Sequence, residues 1–280
     1  RQSKRGNRTY TFDEANLNRN PESHEIEIEV DNYKVGIGTE YSTPQALNAK
    51  LKKVIMIILA GMQGTNYPVS YPKQKDVLHQ YMQILWGKDE KEKRVYPRNF
   101  VGPSSVSLQV NNITEVNEDA NIPNIRNDYT VTDKADGERK LLFINKVGKI
   151  YLIDTNMRVQ FTGSVTKHKS SCNTIIDGEH VLNDKVGNFI NLFLCFDIYF
   201  LDNENTKGYP FMNIPNEESK YADSEISRDK FRGDILSDTI ERLDDTCVIR
   251  NYTTPLNIKM KTFYTNIGSN IFKECKKILD

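Results

Sequence analysis

Lys134-Ala135-Asp136-Gly137-Glu138-Arg139 places an amine, a bend dipeptide and a guanidinium within one short stretch. A lysine amine attacks phosphorus only after losing its proton, so a nucleophilic lysine depends on neighbours that lower its pKa or orient it. Upstream, Asp128-Tyr129-Thr130-Val131-Thr132 reads as a short β-strand delivering Lys134 at its end. Asp136-Gly137 is a turn dipeptide, and the apolar run Leu141-Leu142-Phe143-Ile144 reads as the returning strand. The expectation is a hairpin with Lys134 at its mouth and Arg139 held nearby.

Two further segments suit the same chemistry. Asn173 to Leu182 is an apolar strand running into Asp177-Gly178-Glu179, and Phe189 to Tyr199 is an apolar strand with Phe196 beside Asp197. An aromatic on a strand offers a base a stacking surface, and an aspartate can order a lysine, an arginine or a metal-bound water. Each segment also has an ordinary reading: a solvated charged hairpin for the first, core packing for Phe196. In this order and spacing the three resemble motifs I (KxDGxR), III and IIIa of the covalent nucleotidyltransferases, the superfamily of DNA ligases, RNA ligases and mRNA capping guanylyltransferases. The resemblance implies that Lys134 is the catalytic nucleophile and forms a lysyl-N-NMP adduct. It implies nucleotide binding by Asp136, Gly137, Arg139, Asp177, Glu179, Phe196 and Asp197. Among these, Arg139 would contact ribose or phosphate, Glu179 ribose or metal, and Phe196 the base, with Asp197 in support.

Length suits one large domain or two moderate ones. Lys plus Arg and Asp plus Glu balance at 38 each, so no global field draws the protein to nucleic acid and any RNA contact is local. Cys172, Cys195, Cys247 and Cys275 show no zinc spacing and read as reduced thiols of an intracellular protein. The longest apolar run, Val54 to Ala60, falls far short of the roughly 20 residues a spanning helix needs.

His24-Glu25-Ile26-Glu27-Ile28-Glu29-Val30 alternates carboxylates with aliphatics, a period-2 strand with Glu25, Glu27 and Glu29 on one face. On a surface strand this is unremarkable; inside a barrel it would bind Mg²⁺ or Mn²⁺, hard ions that take carboxylate oxygens. The strand resembles the glutamate-rich motif of triphosphate tunnel RNA triphosphatases. Lys4, Arg5 and Arg8 before it would then be cations holding a triphosphate. A tunnel triphosphatase followed by KxDGxR is the layout of the multifunctional mRNA capping enzymes of poxviruses and other large DNA viruses. The resemblance implies RNA 5′-triphosphatase and guanylyltransferase activities and GTP and RNA as substrates. It also implies a viral transcription machinery or methyltransferase as possible partners, and a cytoplasmic setting.

Ser42-Thr43-Pro44 signals a helix from Gln45 to Ala60, and Ser70-Tyr71-Pro72 a second one to Trp86, stopped by Gly87. His79 and Trp86 are expected in or near the core. Lys88 to Arg94 is a linker candidate, and Ser104 to Val110 resembles the lead-in to a viral guanylyltransferase domain. The expected class is α+β. Residues 1–90 would be the end of a β-tunnel triphosphatase domain plus helices, and 91–280 an antiparallel-sheet nucleotidyltransferase domain of the ligase and capping type. Lys259-Met260-Lys261 has the spelling of motif V, yet no Asp-Gly of motif IV precedes it. Ile258 to Tyr264 therefore reads as the strand before motif IV, with motifs IV and V and an OB-fold beyond this sequence. An ATP-dependent ligase-type adenylyltransferase and a catalytically incomplete scaffold fragment are the competing readings.

Overall fold

The computed structural model describes residues 10–11, 25–87, 94–117, 121–127, 129–213, 231–243, 248–250 and 256–279. Lys4, Arg5, Arg8, Cys247 and most of the linker candidate lie outside them. Two compact units divide the chain, Arg1–Ile57 and Ile58–Asp280. No helix among the described residues is long and apolar enough to cross a membrane.

In the first unit, Asp31 accepts a hydrogen bond from the Tyr33 amide and starts a short 3₁₀ turn, Asn32–Lys34. In the glutamate stretch, Glu25 to Glu29 are all exposed and without a ladder partner among the described residues. Among the described residues the strand expected there is not formed: alternation sorts side chains to two faces, but a strand also needs a neighbour for its backbone. Helix α1, Pro44–Gln63, starts where the Thr43 hydroxyl accepts from the Ala46 amide at 3.2 Å.

Chain order then brings α2 (Tyr71–Trp86), β1 (Thr130–Val131), β2 (Glu138–Ile144), β3 (Lys149–Asp154), β4 (Val159–Thr166), β5 (Thr174–Asn183), β6 (Phe189–Leu201), β7 (Glu204–Asn205), α3 (Arg232–Arg242), β8 (Val248–Ile249), β9 (Asn257–Met260), β10 (Tyr264–Thr265) and α4 (Ile271–Leu279). The main sheet runs β7-β6-β5-β2-β3-β4-β8, with neighbours antiparallel along that path. Strand β9 joins β6 in parallel, a departure from the antiparallel sheet expected.

The unbroken apolar run of β2 reflects burial on both faces. Leu141 and Phe143 pack with Val77, Tyr81 and Met82 of α2, whereas Leu142 and Ile144 pack with Ile235 and Leu236 of α3. Helix α2, assigned by sequence to the front domain, thus belongs to the unit that carries the sheet, because its apolar stripe is one wall of the sheet's core. His79 and Trp86 are corrected to the surface: they lie off that stripe, and Trp86 is 61% exposed.

The hairpin expected at Lys134 is also corrected. Strand β1 pairs with β10, Val131 opposite Tyr264, while β2 lies between β3 and β5. Two residues give β1 no apolar face to dock on the main sheet, so it pairs with a segment far along the chain. Lys134 therefore stands on an open connection between two sheets.

Candidate active site

Gly137 ends that connection, and its need for glycine is one of space. A Cβ there would stand 2.6 Å from the His180 carbonyl oxygen and 3.0 Å from Val181 Cγ2. Gly137→Ala must push β2 and β5 apart at the end of the Lys134 connection. The expected cost is about 1–3 kcal/mol, typical of overpacking, read as a lower urea midpoint.

The opposite end of the Lys134 connection is tied to the chain's last segment. The Thr132 hydroxyl donates to the Thr262 carbonyl at 2.8 Å, and Lys261 Nζ donates to the Asp133 carbonyl. Lys261 Nζ also lies 3.8 Å from Asp133 Oδ1, with its side chain 7% exposed. Burial lowers the Lys261 pKa and the Lys134 charge adds to this, while Asp133 and Glu179 oppose it. Lys134 itself is exposed, its Nζ 3.4 Å from the Ala135 carbonyl.

Arg139 leaves β2 opposite Glu179 of β5. Its guanidinium donates to both oxygens of Asp177, at 3.1 and 2.6 Å, and to the Pro103 carbonyl at 2.6 Å. The Tyr199 hydroxyl donates to Asp177 Oδ2 at 2.5 Å. Asp177 is fully buried. Burial, with the Asp197 charge adding to it, raises the Asp177 pKa; the Arg139 and Tyr199 bonds pull the other way. Arg139 is itself raised by Asp177. Because three well-formed bonds converge on the carboxylate, we take the pair as ionised.

A chain of contacts holds the Pro103 side in place. The Tyr81 hydroxyl of α2 donates to the Asn99 carbonyl at 2.8 Å and accepts from the Val101 amide at 2.9 Å. Gly102, φ +141°, then passes so close that a Cβ would stand 2.6 Å from Arg139 Nη2.

A cavity of about 890 Å³ opens between these groups. Of the expected residues, Lys134, Arg139, Glu179, Phe196 and Asp197 line it; Asp136, Gly137 and Asp177 do not. Asp177 instead holds Arg139 from behind. Asp197, the cross-strand partner of Asp177, is taken by Arg232, whose Nε and Nη2 lie 2.7 and 3.1 Å from its two oxygens. Arg232 and Lys261 also line the cavity, and sequence reading did not place either there. The Lys-x-Lys spelling was a signal for Lys261; nothing in the sequence marked Arg232 beyond its place at a helix start. Lys259, by contrast, is exposed on β9 and is not among the lining residues.

The cavity wall thus joins four cations, several aromatics and the carboxylates of Asp133, Glu179 and Asp197. Such a set suits an anionic, aromatic ligand: guanidinium and ammonium groups for phosphate, a ring for a base. Glu25, Glu27 and Glu29 stand in the other unit, and among the described residues no group of three His, Cys, Asp or Glu side chains is arranged to hold a metal.

Beside Glu179, His180 turns into a buried polar cluster. Its Nδ1 lies 3.0 Å from Lys140 Nζ and its Nε2 2.9 Å from Asn191 Oδ1. Lys140 can only donate, so both bonds are satisfied by a neutral ring protonated on Nε2. Burial, with the Lys140 charge adding and Asn191 and Glu138 opposing, lowers the pKa below its ordinary 6.5. A lowered folded value means that the unfolded chain takes up the proton first. His180 therefore stabilises the fold fully above pH 6.5 and loses that contribution as pH falls below it, by at most about 1.4 kcal/mol per pH unit. Urea midpoints between pH 7.5 and 5.5 should fall less for His180→Gln than for the unaltered chain; equal falls would exclude the group.

A family model for the mRNA capping enzyme catalytic domain matches residues 60–279. A probable mRNA-capping enzyme of Acanthamoeba polyphaga mimivirus is 32% identical over 264 residues, 93% of this chain and 19% of that protein. The chain thus spans about a fifth of the length of that relative. A solved structure of mycobacterial DNA ligase D complexed with ATP and MES is similar at 17% identity and a TM-score of 0.29, over 53% of this chain and 44% of that one. That overlap is too slight to speak for fold or ligand.

Proposed function

The chain belongs to the mRNA capping enzyme catalytic-domain family, and from that premise we propose that its cavity binds GTP and that Lys134 carries the guanylate. The neutral Lys134 amine attacks the α-phosphorus; an N–P bond forms, the bond to the bridging oxygen breaks and pyrophosphate leaves, while the amine gives up a proton. A terminal phosphate oxygen of diphosphate-ended RNA then attacks the same phosphorus. The N–P bond breaks, GMP passes to the RNA and the lysine regains its proton. Such chemistry depends chiefly on positioning and charge neutralisation. Arg139, Arg232 and Lys261 supply the positive charge and Phe196 a ring for the base.

The observation that carries this reading is the convergence of Lys134 and Arg139 with Glu179 and Phe196, from three separate segments, on one cavity. Glu179 and Asp133 are the carboxylates there outside the two arginine pairs, which fits a Mg²⁺ or Mn²⁺ ion arriving on the triphosphate, since Mg²⁺ commonly takes one or two protein carboxylates plus phosphate oxygens. Such an ion would shield the phosphate charge. The test is incubation with α-labelled GTP or ATP followed by a denaturing gel. Label from GTP supports the reading; label from ATP alone replaces it with a ligase-type adenylyltransferase.

For the first unit we propose the end of an RNA triphosphatase, with Glu25, Glu27 and Glu29 holding Mg²⁺ or Mn²⁺ and Lys4, Arg5 and Arg8 the triphosphate. Its support is the alternation of Glu with Ile and Val. Mn²⁺-dependent release of γ-phosphate from RNA by the protein containing this chain, lost in Glu27→Ala, would bear it out. A cytoplasmic setting and association with a transcription or methylation apparatus are part of the same proposal.

A further inference from the structure

Asp177 and Asp197 face each other across β5 and β6, an arrangement that like charges disfavour unless each is compensated. Each is met by its own arginine, and each arginine sits over an aromatic ring of the cavity. Arg139, held by Asp177, lies 5.9 Å from the centroid of Phe196. Arg232, held by Asp197, lies 5.6 Å from the centroid of Phe211. The second carboxylate–arginine–aromatic set has no counterpart in the motifs read from the sequence.

The segment bearing Phe211 is fastened with unusual completeness. Arg232 Nη1 donates to the Tyr209 carbonyl, the Arg232 amide to Pro210 at 2.9 Å, and the Gly233 amide to Phe211 at 2.7 Å. Three successive carbonyls are thus held by the first residues of α3. Those amides have no partner within the helix, so the loop satisfies donors that folding would otherwise leave unpaired. Phe211 also meets Phe263 edge to face, with centroids 4.8 Å apart and planes at 72°. The ring remains only half-buried and lines the same cavity as Phe196 and Lys134. Nothing in core packing demands that a loop be pinned at three carbonyls to present an aromatic ring to an open cavity.

We infer that Phe211 is a second base-stacking wall of the cavity, and that Arg232 is the positioning residue that presents it by gripping Asp197 and the loop. The inference rests on the nucleotide reading above. Arg232 covers one face of Phe211 and Phe263 braces the ring, leaving it presented to a planar base. In this arrangement Asp197 acts through Arg232 and does not touch the nucleotide.

Stacking acts on the base alone, which separates it from a merely structural role. Equilibrium binding of GTP and of ribose 5′-triphosphate, which has no base, is measured on the 280-residue chain and its variants. Phe211→Leu should weaken GTP about tenfold or more, the size of one base–aromatic stack, and leave ribose 5′-triphosphate within about twofold. Phe211→Trp should restore GTP binding. Arg232→Lys, which keeps a cation for Asp197 but not the fork, should show the same GTP-selective loss at smaller size. If GTP and ribose 5′-triphosphate weaken together, or if Phe211→Leu binds GTP as the unaltered chain does, the stacking wall is overturned. Failure of the unaltered chain to bind GTP at all would instead overturn the nucleotide reading, and this inference with it.

Discussion

Lys134→Ala should leave the chain folded and, if Lys134 carries the guanylate as proposed, take covalent labelling by GTP to background. The side chain is exposed and, among the described residues, its one hydrogen bond is a long one to its neighbour's carbonyl, so removing it should change stability by no more than about 0.5 kcal/mol. Its chemical contribution has no substitute. Arg139, Arg232 and Lys261 line the same cavity, yet a guanidinium offers no amine nucleophile, and Lys261 is bonded to the Asp133 carbonyl. Lys134→Arg should fail as fully as Lys134→Ala while binding GTP about as well, because it keeps the charge and loses the nucleophile. Label that survives in either variant would move the nucleophile to another residue, with Lys261 first to be examined.

Asp177→Ala should be the most damaging single change to stability within the site. The carboxylate is fully buried and holds both the Arg139 fork and the Tyr199 hydroxyl. Its removal leaves a guanidinium and a buried hydroxyl without their partner, and breaking such a pair costs about 3–5 kcal/mol. Arg139 is 27% exposed, so water can relieve part of the loss and the lower end of that range is expected. In a chain of this length the melting temperature should fall by roughly 5–15 °C. Asp177→Asn, similar in shape but without the charge, should fall between. GTP labelling should weaken in both, since Arg139 is aimed into the cavity by this bond. A melting temperature within about 2 °C of the unaltered chain would show that the pair does not hold the site together.

Much of this site was legible in the chain itself. Lys134 and Arg139 are spaced by a motif whose glycine is needed because β5 passes too close for a Cβ, and the Glu179 and Phe196 strands fall where their apolar runs put them. Helix α2 was legible at both ends, from Pro72 in its first turn to Gly87, which takes a positive φ at its close. Other features were not. The pairing of β1 with β10 and the tie from Lys261 to Asp133 join residues about 130 positions apart, and no local pattern encodes which distant segment a two-residue strand will choose. Arg232 was missed for the same reason: its partner Asp197 is 35 residues away, and a single arginine at a helix start is common.

By itself, then, the sequence determined most strands of the main sheet, both long helices and a set of candidate site residues, because hydrophobic period, turn chemistry and motif spacing act over a few neighbouring residues. Only the tertiary structure decided which charges are spent on each other and which are offered to a ligand. Asp177 and Asp197 read as site residues alongside Glu179, but each meets an arginine brought from elsewhere in the fold. A carboxylate's role depends on the cation that reaches it first, and that is settled when strands and helices pack.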